Sequence, residues 1–171
     1  MPRKILMFDV HGPFKVPLRK EGRGAYLPHK CPEFWEAHPE SRSMLGCYLF
    51  ALRAGKGYRP IYVGQTVRSF ESECFADHKI ARHYAPALAK KGRGTPVIFF
   101  VVPERKRGKP NRRVIKELET FLIQVAATKN PQLSNVKENN AAKWGICGVV
   151  RGGQGKPTFD AQRFKKAIGV K

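Results

Sequence analysis

Along the chain the apolar positions change rhythm several times, and each change marks an element. Ile5 to Val10 is a short apolar run that reads as a strand. Residues 11–30 turn polar and basic, with Gly12-Pro13, Arg19-Lys20, Gly22-Arg23-Gly24 and Pro28, and read as loop. Pro32 to Ala37 opens as a short helix, with proline in the first turn and Glu33 near the positive end. Its Phe34-Trp35 pair is expected to pack on the main body. Gly46 to Leu52 is a β-type run, Arg53 to Gly57 a turn, and Pro60 to Gly64 the returning strand, which together make a hairpin.

Past Gln65-Thr66 the period becomes helical. Phe70, Cys74, His78 and Arg82 fall four apart, so the spacing predicts one helix from about Ser69, its N-cap, to about Tyr84. Thr95 to Val102 is continuously β-branched and aromatic, the pattern of a buried central strand. Val114 to Ala127 carries Ile115, Leu118, Leu122, Val125 and Ala126 on one side and predicts a second helix, stopped by Asn130-Pro131. Lys143 to Val150 predicts a last strand, and Asp160 to Ile168 a basic amphipathic segment. The order predicts an α/β fold of the α+β type, a small mixed or antiparallel sheet with helices packed against it. It divides into an N-terminal extension packing on the core (1–45), a central domain (46–136) and a C-terminal basic extension (137–171), all within one compact unit.

Charge adds what periodicity does not show. Lysine and arginine number 33 against 13 acidic residues, a formal net charge of +20 over 171 residues. Self-repulsion on that scale destabilises a compact chain, and a polyanionic partner relieves it through counterion release. The same charge suits a ribosome-type structural protein, so charge alone does not specify chemistry. Cys31, Cys47, Cys74 and Cys147 form no Cys-x-x-Cys pair, which argues against a zinc ribbon or a dense disulfide framework. Four reduced thiols in a cytoplasmic protein are the expectation. No apolar run approaches the roughly 20 residues of a membrane span. The basic Met1 to Lys4 followed by Ile5 to Phe8 is too short for a signal peptide and meets Asp9 at once.

Candidate chemistry comes from pieces in order. Gly46-Cys47-Tyr48 opens the first hairpin strand and Tyr62-Val63-Gly64 closes the second; a helix with His78, a central strand, a helix with Glu119 before Phe121-Leu122-Ile123, and Pro131 through Asn135 follow. This series resembles the GIY-YIG endonucleases over Gly46 to Val136, about half of the chain. The resemblance implies a metal-dependent endonuclease hydrolysing DNA phosphodiester bonds. Glu119 is the candidate anchor for one Mg²⁺ or Mn²⁺, since hard cations take carboxylate oxygen and keep several waters. Glu117, two residues away, points elsewhere on the helix. Tyr48 and Tyr62, on neighbouring strands, can converge if their side chains share a face, and a phenol there relays a water's proton given local help with its pKa. The resemblance also implies His78, as general base or as the group that orients the water, and Asn135 as the hydrogen-bonding group at the metal or phosphate.

One position departs from the family pattern. The arginine expected one turn before His78 is Cys74, and a thiol cannot clamp a phosphate as a guanidinium does. Arg82 is the first candidate to compensate, one turn beyond His78, then Arg68 before the helix, with Lys79 adjacent. The remaining cations, Lys79, Lys90, Lys91, Arg93, Arg105, Lys106, Arg107, Lys109, Arg112 and Arg113, are expected to grip backbone phosphates. Gly152-Gly153-Gln154-Gly155 lacks the lysine of a phosphate-binding P-loop, so no nucleotide site is expected there. The alternative reading is a weakened module of the same fold that binds DNA or RNA without cutting it. No membrane partner is expected, and a separate protein is a possible source of DNA recognition.

Overall fold

A computed structural model describes residues 5–89, 94–104, 108–128, 144–150 and 155–170. Its strands are β1 (Leu6–Lys15), β2 (Arg19–Glu21), β3 (Gly24–Tyr26), β4 (Gly46–Ala54), β5 (Gly57–Thr66), β6 (Thr95–Pro103) and β7 (Trp144–Ile146). Five of them form one sheet in the order β5-β4-β6-β1-β7, antiparallel except where β7 joins β1 in parallel. β2 and β3 form a separate exposed ribbon. The sheet is mixed and helices cover it, so the architecture is the α/β class expected.

Alternation along the strands divides the core in two. Cys47, Leu49 and Ala51 of β4 share one face with Phe99 and Val101 of β6 and with Phe8 and Val10 of β1. Tyr48, Phe50, Ile98, Phe100 and Val102 occupy the other. β4 and β6 are therefore buried on both sides, which is why they read as unbroken apolar runs. The second face is covered by α1 (Pro32–Ala37), where Phe34 and Trp35 are almost completely buried, and by a broken helical stretch. That stretch comprises α2 (Phe70–Glu73), α3 (Asp77–Lys79), a π-helical turn (Ile80–Tyr84) and α4 (Ala85–Ala89). The first face is covered by α5 (Arg112–Thr128) and α6 (Phe159–Ile168). No helix among the described residues is long and apolar enough to cross a membrane.

Several expectations are corrected. Residues 11–30 are not all loop: β1 continues to Lys15 through a bulge between His11 and Phe14. Pro13 sits within that bulge, where its missing N–H interrupts no ladder. β1 also does not lie upon the core as an extension would. It runs between β6 and β7, inside the sheet. Finally, the single helix expected from Ser69 to Tyr84 is broken. Ser69 caps it as expected, its side chain accepting from Ser72 N at 3.2 Å, but Ala76 is extended (φ −62°, ψ 141°) and ends the first segment. The Tyr84 hydroxyl takes the freed Cys74 carbonyl at 2.8 Å, and Phe75 and Tyr84 both enter the core. Pro86 follows, without the N–H that would close on Arg82, and the backbone widens into the π turn just before it. The last predicted strand shortens to Trp144–Ile146, while the Asp160 to Ile168 segment is helical, with Phe164, Ala167 and Ile168 buried.

Two glycines are required by geometry. Gly46 has φ +138°, and a Cβ there would lie 2.2 Å from the Val101 carbonyl oxygen. Gly64 has no such backbone strain, but its Cβ would meet Tyr48. At the far end of the chain, the Thr158 side chain accepts from Ala161 N at 3.1 Å and caps α6. Thr158→Ala is expected to cost about 1 kcal/mol, lowering the melting temperature by about 2–4 °C in a thermal melt.

Candidate active site

β4 and β5 pair so that Tyr48 lies opposite Gly64 and Phe50 opposite Tyr62. Partners across an antiparallel ladder share a face, so both tyrosines emerge on the side covered by α1 and the broken helix. Their ring centroids are 6.1 Å apart with the planes at 39°. A Cβ on Gly64 would come within 2.4 Å of the Tyr48 Cζ and Oη. The glycine of the second tripeptide therefore makes the space in which the phenol of the first lies. The two short motifs are one packing unit.

A cation stands at the Tyr48 hydroxyl. Lys79 Nζ donates to Tyr48 Oη at 2.6 Å and to Glu73 Oε1, and it lies 5.2 Å and 5.8 Å from the ring centroids of Tyr48 and Tyr62. Lys79 is only 4% exposed. An ammonium taken from water needs compensation, which the Glu73 carboxylate, the Tyr48 oxygen and two ring faces supply. This corrects the expectation that Lys79 grips phosphates on the surface. It also corrects the single face of Phe70, Cys74, His78 and Arg82. The extended Ala76 resets the helical frame, so His78 and Arg82 face solvent while Lys79 turns inward. Arg68, held by its N–H to Thr66 Oγ1, is also exposed. Cys74 is fully buried, and burial pushes its thiol well above the ordinary range.

Tyr62 is half-buried, and the exposed His83 ring lies over it, 4.4 Å between centroids at 30°. Burial raises the Tyr62 phenol, and the charges of Glu119 and Glu73 raise it further; a hydrogen bond from Tyr48 acts the other way. Burial raises Tyr48 too, with Tyr84, Cys74, Tyr62 and Glu73 adding to it. Both phenols thus keep their protons at neutral pH and act as hydroxyls, not as phenolates. The local help with their pKa that sequence reasoning required runs the opposite way.

Glu119 comes from the other layer. α5 packs on the first face, where Asn111 Oδ1 caps it by accepting from Val114 N at 3.2 Å. Glu119 is 9% exposed and accepts from Lys116 Nζ at 2.5 Å. Among the described residues β5 is the edge of the sheet, with no further strand between a carboxylate of this layer and a phenol of the other. The Glu119 charge reaches both Tyr62 and Cys47. Tyr48, Tyr62, Lys79 and Glu73 are in contact, and Glu119 joins them electrostatically from across the edge. Sequence reading missed Glu73 and His83. Glu73 and Lys79 are six apart, a separation no regular helix brings together, so only the break at Ala76 could reveal the pair.

Of the remaining candidates, Lys109, Arg112 and Arg113 are exposed at the start of α5, Arg113 reaching Glu117 at 3.2 Å. Asn135, Lys90, Lys91, Arg93, Arg105, Lys106 and Arg107 lie outside the described residues. Glu119 offers a hard oxygen donor suited to Mg²⁺ or Mn²⁺, and its partner Lys116, with a side chain 67% exposed, is free to swing into water. A different group of donors stands at the opposite end of the sheet. Asp9, Glu104 and Cys147 bring their ligand atoms within 4.8 Å of one another, a mixture of two carboxylates and one thiol remote from the tyrosines. No protein-family model, curated protein or solved structure matches the chain.

Proposed function

We propose that the chain is a GIY-YIG-like endonuclease that hydrolyses DNA phosphodiester bonds with Mg²⁺ or Mn²⁺. The observation that carries this reading is the meeting of Tyr48 and Tyr62 on one face of the hairpin, with α5, which carries Glu119, packed against the same edge strand β5. Glu119 would hold the cation once Lys116 moves aside. A bound divalent cation acidifies water and draws charge from a phosphoryl oxygen. The rest falls to the protein's own groups. The Tyr62 hydroxyl, half-open to solvent, orients the attacking water by hydrogen bonding, and Tyr48 fixes Tyr62 from behind. Lys79 keeps a positive charge within the wall of the site. Arg82 and Arg68 face solvent on the flanking segments and meet phosphates on either side of the scissile one.

The cations at the start of α5 support a polyanionic substrate. Arg112 and Arg113 occupy the first turn of a helix, where the macrodipole is already positive and disfavours them. A phosphate there relieves both. We assign a cytoplasmic setting and leave base recognition to a partner protein, since phosphate contacts carry no sequence information.

A second reading, binding to DNA or RNA without cleavage, is favoured by one feature. The arginine expected before His78 is Cys74, and the cation that does reach the tyrosines, Lys79, is too covered to reach a phosphate without rearrangement. One assay separates the readings. Purified protein is incubated with DNA and RNA, with Mg²⁺ or Mn²⁺ or with chelator. Cleavage of DNA that needs the metal supports the first. Salt-sensitive binding with no product in any condition overturns it in favour of the second.

A further inference from the structure

At the end of the sheet where the β4–β5 hairpin turns, on the face that packs α5 and α6, lies a cavity of about 330 Å³. Pro13, Lys15, Arg53, Gly55, Thr95 and Val97 line it. We propose that this cavity binds a phosphate group of a nucleic-acid backbone, with Arg53 and Lys15 as its two walls and the Thr95 hydroxyl between them. This assignment rests on the nucleic-acid partner common to both readings above and holds with or without cleavage.

Strand register brings these groups together. Arg53 of β4 lies opposite Thr95 of β6, and Lys15 of β1 lies opposite Val97. Ladder partners share a face, and Thr95 and Val97 are two apart on one strand, so all four side chains emerge on the same side. Val97 is buried in the core there and closes the floor of the cavity in hydrocarbon. Beyond it the core stops, and Lys15, Arg53 and Thr95 are exposed. Adjacent strands are ~4.8 Å apart, so the two cations stand on strands about 10 Å apart with β6 between them. Both side chains are long enough to lean over that gap and meet on one phosphate.

The donor set suits an anion. Arginine offers a planar fork that fits two phosphate oxygens, lysine a mobile point charge, and threonine an O–H donor. No carboxylate among the described residues lines the cavity. Among those residues neither Lys15 nor Arg53 has a carboxylate partner, whereas Arg19, Arg42, Lys79, Arg113 and Lys116 each meet a glutamate. Asp160, on the first turn of α6, is taken up by the Gly12 N–H at 3.0 Å. Two like charges therefore face one cavity uncompensated. A backbone phosphate removes their repulsion and gives up its own counterions in doing so. No aromatic ring among the described residues lines the cavity to stack the base of a free nucleotide, and its exposed rim leaves room for a strand to pass across.

The test reads binding in chelator, on the full chain, with a fluorescent DNA duplex titrated by anisotropy. Lys15→Gln/Arg53→Gln is compared with wild type and with Lys20→Gln/Arg23→Gln, which removes the same charge from the exposed β2–β3 hairpin. The cavity variant is expected to bind at least about tenfold more weakly, and to flatten the slope of log K against log salt by about two. The hairpin variant is expected to stay within about twofold of wild type. In ¹⁵N-labelled wild type, inorganic phosphate and the duplex are each expected to shift the Thr95 amide and the Arg53 Nε–H. Equal weakening of both double variants makes the effect one of net charge and overturns the site. Phosphate or ATP that shifts Thr95, with duplex binding unchanged in the cavity variant, assigns the cavity to a free phosphate and overturns the backbone source. Wild-type binding with no shift at Thr95 and an unaffected cavity variant removes this assignment alone. Wild type that binds neither DNA nor RNA removes both readings of the function along with it.

Discussion

Replacing Glu119 with alanine is expected to abolish metal-dependent DNA cleavage, by about 1000-fold or more, while DNA binding stays at the wild-type level or tightens slightly. The proposed metal has one protein carboxylate to hold it, and the Lewis-acid contribution of such an ion is worth several kcal/mol of barrier, about tenfold in rate for each 1.4 kcal/mol. Binding follows from the cations at the start of α5 and is not weakened by removing a negative charge. The variant is also expected to fold. Its loss leaves Lys116 without a partner, but that side chain is 67% exposed and returns to water. No buried charge is stranded, so the stability cost is about 1 kcal/mol at most. Glu117→Ala makes the same change in net charge one short step along α5, where the side chain faces solvent and meets Arg113. It is expected to cleave like wild type. Cleavage is read on a labelled duplex with Mg²⁺ and binding by fluorescence anisotropy in chelator. Equal cutting by wild type and Glu119→Ala sinks the metal assignment.

The largest effect on stability is expected at Gly46. Gly46→Ala places a methyl 2.2 Å from the Val101 carbonyl oxygen and forces a side chain into φ +138°. The obstacle is backbone, and it belongs to β6 at the middle of the sheet, where Cys47 pairs with Val101. Relief therefore means shifting two central strands that are packed on both faces. The expected loss is more than about 4 kcal/mol, in the class of severe steric and strain lesions. Gly55→Ala is the matched control. It has φ +57° with nothing within 4 Å of its would-be Cβ, so only the conformational strain of about 1 kcal/mol applies. Urea unfolding of the three proteins decides it. If Gly46→Ala loses no more than Gly55→Ala, the clash with β6 is not what fixes the glycine.

Where the sequence could be read, one local rule was acting alone. The β4–β5 hairpin, the central strand β6 and the helix α5 each carry an uninterrupted period and appear with that identity. Tyr48 and Tyr62 were legible as a pair because ladder partners share a face whatever the rest of the fold does. The helix after β5 was not, because its four-residue spacing is set by Phe70 and Cys74 alone. Beyond them tertiary packing takes over: Phe75 and Tyr84 both seek the core, Ala76 extends, and every side chain after it changes direction. Hence the inward cation is Lys79, where a regular helix pointed to Arg82. Membership of β1 in the sheet was hidden for a different reason. Its strand pattern is visible, but nothing local tells a strand that its partners lie at Pro103 and Trp144.

That placement of β1 has a consequence for how the chain is made. During synthesis β1 leaves the ribosome before β6 and β7, yet Phe8 pairs with Pro103 and Leu6 with Trp144. At about 5–20 residues per second, the wait for β6 is roughly 5–20 s, and β7 comes later still. The β4–β5 hairpin can close in microseconds in that interval, while β1 stays unpaired with Phe8 and Val10 in water. The sheet is therefore completed last along β1, near its middle. Nascent chains stalled before residue 95 should present an adhesive β1 segment to chaperones, and chains stalled after β7 emerges should not.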